Sequence, residues 1–273
     1  MGASEVDDPS IGSIQTLLGA LEKIAIAAGK EILVVRAEGA MVTVKSDRTP
    51  VTQADRRAEA LILDFLANAY PDIPVVAEEL AEAGHCPTHA SDMFFLVDAL
   101  DGTGDFIAGR NDFTVNIALI RGQVPVAGVV YAPALGKMWS GVAGQAQVAD
   151  VSPEGEITGQ RQIHTRQRPK TPVALVSVTH KEPETDAWLA RMPEHETASV
   201  GSSLKFCLLA EGRADVYPRL VCLKQWDIAA GDAVLRAAGG MTLTLDGVPL
   251  LYGVEGADFG CSRFIGWGSA PDA

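Results

Sequence analysis

The segment Phe94-Phe95-Leu96-Val97-Asp98-Ala99-Leu100-Asp101-Gly102-Thr103 runs from an unbroken apolar block into two carboxylates, a glycine and a hydroxyl. A short apolar run closed by a turn signal is the pattern of a strand buried on both faces. Asp98 then stands at the strand's C-terminal end, the edge on which α/β sheets place ligands. Two ionised carboxylates three residues apart repel one another in a low-dielectric site, and a divalent cation removes that repulsion. Carboxylate oxygens, a backbone carbonyl and a hydroxyl are the hard donors that Mg²⁺ selects. Asp101-Gly102 equally suits the corner of a tight turn, and on this segment alone both readings stay open.

Upstream, residues 14–36 place Leu17, Leu21, Ile24, Ala25, Ala28 and Ile32 at steps of three and four, which predicts a helix with one apolar face. Residues 45–50 form a polar loop. Thr52-Gln53-Ala54-Asp55 opens a second helix with Ala58, Leu61, Ile62, Phe65 and Leu66 on its apolar side. Thr52 and Asp55 resemble a capping box, which by itself accounts for Asp55. Residues 73–77 read as a short strand that ends in Glu78-Glu79.

Downstream, residues 113–120 and 124–131 flank Arg121-Gly122-Gln123 and predict a hairpin, with a further strand over 137–142. Strands in succession after two helices predict a mixed or antiparallel sheet. Residues 147–172 read as turn-rich. The boundary is placed there, between an N-terminal α+β domain (1–160) and a C-terminal α/β domain (161–273). In the second domain, strands at 173–178, 197–200, 215–217, 241–245 and 262–267 alternate with helices at 182–192, 202–211 and 226–238.

The 273 residues carry a net charge of −13, which disfavours nucleic acid as a partner. An anionic substrate then needs local positive charge, from bound metal and a few Lys or Arg. Cys86, Cys207, Cys222 and Cys261 match no zinc spacing and are expected to be free thiols in a reducing compartment. The acidic start, without a basic region before an apolar run, is not expected to act as a secretory signal, and no apolar run reaches membrane-spanning length. A soluble cytoplasmic protein is the expectation, with monomer and homodimer both open.

Four motifs in order, Val51-Thr52-Gln53-Ala54-Asp55, Ala77-Glu78-Glu79, Asp98-Ala99-Leu100-Asp101-Gly102-Thr103 and Trp226-Asp227-Ile228-Ala229-Ala230-Gly231, resemble the inositol monophosphatase superfamily of metal-dependent, lithium-sensitive phosphatases. The resemblance runs from Lys45 through Gly240. Phe113 to Ile120, Gly128 to Pro133 and Gly201-Ser202-Ser203-Leu204-Lys205 followed by Tyr217-Pro218-Arg219 narrow it to the bacterial 3'(2'),5'-bisphosphate nucleotidases within that superfamily. Simple inositol phosphatases share the acidic residues but not the Ser-Ser-Leu-Lys helix start.

The resemblance implies a layered αβαβα sandwich of the sugar-phosphatase type. It implies that Glu78, Asp98, Asp101, Asp227 and the Leu100 carbonyl hold two or three Mg²⁺ ions. Thr103 would orient the attacking water, with Asp55 accepting its hydrogen bond and Glu78 completing the catalytic set. Gly102 and Thr103 would cradle the phosphate, which Asp227 also approaches. Lys205 sits near a helix start, against the dipole's preference, and is assigned with Ser202 to a second phosphate. His180 and Arg219 match positions that contact the nucleotide. Two departures stand out: Ala99 where the family usually has Pro, and Gly104-Asp105 where it has a basic residue followed by Glu.

The implied reaction is in-line attack of water on the 3'-phosphate of adenosine 3',5'-bisphosphate, giving AMP, with the sulfated analogue as a second substrate. The alternatives are an inositol- or sugar-phosphate phosphatase and, in another class, a catalytically silent metal-binding regulatory protein.

Overall fold

A computed structural model describes residues 9–39, 42–44, 50–85, 91–142, 144–178, 182–253 and 258–271. The first half runs α1 (Pro9–Glu38), β1 (Val42–Val44), β2 (Pro50–Thr52), α2 (Gln53–Ala69), β3 (Val75–Ala77), α3 (Glu78–Glu82), β4 (Met93–Asp101) and α4 (Thr103–Ile107). Five strands follow: β5 (Thr114–Arg121), β6 (Val124–Ala132), β7 (Lys137–Val142), β8 (Gln145–Val151) and β9 (Ile157–Ile163). The second half runs β10 (Val173–Val176), α5 (Pro183–Leu189), β11 (Glu196–Ser199), α6 (Leu204–Ala210), β12 (Val216–Arg219), α7 (Gln225–Ala237), β13 (Met241–Thr244) and β14 (Phe264–Trp267).

Strands β3 to β9 form a seven-stranded sheet in sequence order, parallel only between β3 and β4. A second sheet has the order β11-β10-β12-β14-β13, with β10 parallel to both of its neighbours. The chain stacks these as the expected five-layer αβαβα sandwich. Helices α1 and α2 pack on one face of the large sheet, α6 and α7 fill the space between the sheets, and α5 packs against β12 on the far side. Alternation along β4 feeds two cores. Phe95 and Val97 face α1 and α2, whereas Phe94 and Leu96 face α6 and α7. Both faces are covered, so the strand reads as a continuous apolar run.

Three sequence expectations are corrected. β4 does not end at Asp98 but continues to Asp101. Helix α6 starts at Leu204, leaving Ser202 and Ser203 in the preceding turn, with Ser202 at φ 44°. The stretch read as turn-rich from residue 147 contains most of β8 and all of β9. β9 is a mostly exposed, polar edge strand, so it lacks the apolar alternation that marks a strand in sequence.

Candidate active site

Asp98 and Asp101 are three positions apart, an odd step that in a regular strand would send them to opposite faces. The pairing with β5 shifts between them: Asp98 faces Asn116 and Asp101 faces Thr114, three residues on one strand against two on the other. This is a β-bulge, and the extra residue turns the strand back. Ala99 and Leu100 both enter the α1/α2 core. Both carboxylates are thereby left toward α6 and α7. The Leu100 N–H donates to Asp98 Oδ1 at 3.0 Å, fixing the first carboxylate across the bulge.

The parallel register of β3 with β4 pairs Ala77 with Val97, so Glu78 emerges beside Asp98. Asp227 arrives from the first turn of α7, where its Oδ2 accepts the Lys224 N–H at 3.0 Å. Burial pushes the Asp98 carboxyl well above the usual carboxylate range, and the charges of Glu78, Asp101 and Asp227 push it further. Burial likewise raises Asp227 strongly, helped by Asp101 and Glu78. Burial raises Asp101 too, opposed by Lys205 and by hydrogen bonds from Ser203 and Asn116. Buried carboxylates that repel one another fit a multivalent cation, and an all-oxygen donor set fits Mg²⁺.

Asp55 shows both of its expected bonds. Its Oδ2 accepts the Thr52 N–H at 2.8 Å and the Thr52 hydroxyl at 2.6 Å, closing the cap of α2. Its Oδ1 lies 2.9 Å from Thr103 Oγ1, which is also 3.1 Å from the Leu100 carbonyl. Gly102, between the carboxylates and Thr103, has φ 95°, and a Cβ there would stand 2.9 Å from the Asp112 carbonyl oxygen. Only glycine makes this turn without strain.

A cavity of about 250 Å³ takes Asp101, Gly102, Thr103, Ser202, Lys205, Arg219 and Asp227 into its wall. It lies where strand ends of both sheets converge: β10 leads to Ser177 and β12 ends in Arg219, both in the same wall. Asp55, Glu78, Asp98 and Leu100 do not line it, and His180 lies outside the described residues. Lys205 is buried, and Nζ donates to the carbonyls of Ser202 (2.7 Å) and Val200 (3.1 Å). Burial lowers its ammonium pKa to about 8, against the opposing pull of Asp101. Arg219 is buried and ion-paired with Glu182.

Sequence reasoning missed several groups. Asn116 is fully buried on β5, and its amide donates to Ser203 Oγ at 2.9 Å and Asp101 Oδ2 at 3.3 Å. The Ser203 N–H donates to the same Asp101 oxygen at 2.7 Å, and its hydroxyl donates to the Asp227 carbonyl at 2.6 Å. The signal was present: Thr114 and Asn116 are polar residues two apart in an otherwise apolar strand. Glu59, a buried acid on α2, accepts the N–H groups of Glu79 and Leu80 at 2.9 Å each and thereby caps the helix that carries Glu78. Asp105 is buried in the cavity wall and ion-paired with Arg110, so this departure from the family pattern brings its own cation.

The sequence matches the inositol monophosphatase family over residues 13–262. The chain belongs to that family. Enzymes of the inositol monophosphatase family are metal-dependent, generally on Mg²⁺, in keeping with the donor set described above. The chain is 42% identical over 211 residues to the 3'(2'),5'-bisphosphate nucleotidase CysQ of Escherichia coli K12, spanning 77% of this chain and 82% of that protein. It is 36% identical to CysQ of Buchnera aphidicola, spanning 78% of each. The crystal structure of CysQ from Bacteroides thetaiotaomicron superposes with a TM-score of 0.78 at 33% identity, covering 93% of this chain and 97% of that one. An inositol monophosphatase of Thermotoga maritima shares the fold with a TM-score of 0.73 at 23% identity, covering 93% and 92%. Among the described residues no helix is long and apolar enough to cross a membrane.

Proposed function

We propose that this chain is a Mg²⁺-dependent 3'(2'),5'-bisphosphate nucleotidase that releases the 3'-phosphate of adenosine 3',5'-bisphosphate as inorganic phosphate and leaves AMP. The observation that carries the reading is one cavity walled by both parts of the site. Asp101, Thr103 and Asp227 share its wall with the buried cations Lys205 and Arg219, so carboxylates and cations line one space. A substrate with one phosphate at the carboxylates and a second anionic group at the two cations matches that lining. The CysQ relatives, at 42% and 36% identity, support the same substrate class.

Glu78, Asp98, Asp101, Asp227 and the Leu100 carbonyl would hold two or three Mg²⁺ ions. Bound Mg²⁺ neutralises phosphate charge and makes water a stronger nucleophile near neutral pH. The chain's own groups supply the rest. Thr103 holds the attacking water through its hydroxyl, and Asp55 accepts the hydroxyl proton's hydrogen bond, so that the Thr103 oxygen accepts a hydrogen bond from that water and the water's proton can pass through Thr103 to the Asp55 carboxylate. Glu78 completes the catalytic set with Thr103 and Asp55. Gly102 and Thr103 present their amides to the phosphate, and Ser202, Lys205, Arg219 and His180 bind the remainder of the nucleotide. Three described cysteines are free thiols, which supports a reducing, cytoplasmic setting.

Steady-state kinetics with Mg²⁺ on adenosine 3',5'-bisphosphate and on inositol 1-phosphate test the assignment. A kcat/KM at least about tenfold higher on the bisphosphate is expected, the size of one charged hydrogen bond; the reverse order would make the chain an inositol phosphatase.

A further inference from the structure

Arg219 closes β12 with its side chain 10% exposed, and its guanidinium pairs with Glu182, which is similarly buried at 7%. Glu182 sits at the N-cap of α5, and its second oxygen accepts the Thr185 hydroxyl at 2.8 Å. Both carboxylate oxygens are therefore held, and the pair has fixed geometry. The pair does not use every donor of the guanidinium. Among the described residues, Arg219 Nε is buried and has no hydrogen-bond partner, although Arg219 is part of the cavity wall. A buried N–H without an acceptor costs about 1–3 kcal/mol, and such groups call for an explanation. Lys205, the other cation of the wall, has two of its three N–H bonds directed at the carbonyls of Val200 and Ser202. Arg219 is thus the cation of the wall whose orientation is set by a carboxylate partner.

We infer that Glu182 is a positioning residue that anchors Arg219 so that its guanidinium is held toward the non-reacting phosphate of the substrate. The role presupposes the bisphosphate substrate proposed above. An arginine without its carboxylate partner samples several rotamers, and binding then bears the cost of ordering it. Glu182 removes that cost in advance. It also keeps Arg219 tolerable in the buried wall before substrate arrives, since an unpaired buried charge is strongly destabilising. Glu182 touches no reacting atom; it acts through Arg219.

The test is the ratio of KM for adenosine 3'-monophosphate to KM for adenosine 3',5'-bisphosphate, which reads recognition of the second phosphate. Wild type is expected to favour the bisphosphate. Glu182→Ala is expected to shrink the ratio about tenfold, the size of one hydrogen bond to a charged group, with a smaller effect on kcat. Glu182→Gln, which keeps an acceptor oxygen at the same reach, is expected to recover most of it. In a double-mutant cycle, Glu182→Ala adds nothing once Arg219→Ala is present. An unchanged ratio in Glu182→Ala, or additive effects of the two substitutions, overturns the inference. If Glu182→Ala does not fold, Glu182→Leu, which fills the same space without an acceptor, takes its place in the cycle, and the same two results overturn the inference. Wild-type protein that leaves the bisphosphate untouched defeats the proposed substrate itself, a separate outcome from an unchanged ratio.

Discussion

Thr103 Oγ1 stands 2.9 Å from Asp55 Oδ1, while Asp55 Oδ2 closes the N-terminus of α2 through the Thr52 N–H and hydroxyl. One carboxylate therefore serves a helix cap and the Thr103 hydroxyl at once. The cap explains why Asp55 is rigid enough to fix Thr103. The two oxygens make the functions separable by mutation.

Thr103→Ala should lower kcat by about 10²-fold or more, the usual range for a lost proton-transfer group, with the melting temperature little changed. Thr103→Ser should recover most of the activity. Asp55→Asn should lower kcat and also weaken the cap by about 0.5–2 kcal/mol. Kinetics and thermal melts on the three variants separate these effects.

Asp98 contributes repulsion when no cation is present, because burial and three neighbouring acids disfavour its charge. Mg²⁺ should therefore raise the melting temperature of the wild type through binding to the native state alone. Asp98→Asn removes one of the repelling charges. It should melt at least as high as wild type in EDTA, about 2–4 °C higher per kcal/mol relieved, and show little or no Mg²⁺ shift. Differential scanning fluorimetry with and without Mg²⁺ reads both signs. A wild-type-sized Mg²⁺ shift in Asp98→Asn would contradict the ligand assignment.

Gly102 combines φ 95° with a Cβ position 2.9 Å from the Asp112 carbonyl oxygen. Gly102→Ala should cost on the order of 1–3 kcal/mol in strain and displace Thr103 from Asp55. Lower chemical-denaturation midpoints and a fall in kcat together are the expected result.

Arg110 neutralises Asp105 in the cavity wall. Arg110→Ala leaves that carboxylate unpaired beside an anionic substrate. KM for the bisphosphate should rise several-fold and depend more steeply on salt, with kcat affected less. Initial rates at two ionic strengths check this.

The layered fold was legible through the family resemblance of four motifs in fixed order, and the structure brings Asp101, Asp227 and Glu78 close to Asp98. The bulge at Ala99 and Leu100 was not legible. Sequence alternation assigns Asp98 and Asp101 to opposite faces, and only the shifted register with Asn116 and Thr114 reunites them. Glu182 was hidden for another reason. A glutamate before a proline reads as an ordinary helix start, and its partner Arg219 is 37 residues away. β9 escaped because an exposed edge strand need not alternate. Ser202 was placed inside a helix because its neighbours favour one, whereas a positive φ holds it in the turn.

The most direct measurement is ³¹P NMR of adenosine 3',5'-bisphosphate turned over by the wild-type protein with Mg²⁺. The account predicts that the 3'-phosphate resonance disappears, inorganic phosphate grows in equal amount and the 5'-phosphate resonance persists as AMP. Loss of the 5'-phosphate, or no phosphate release while a simple sugar phosphate is hydrolysed, would contradict it.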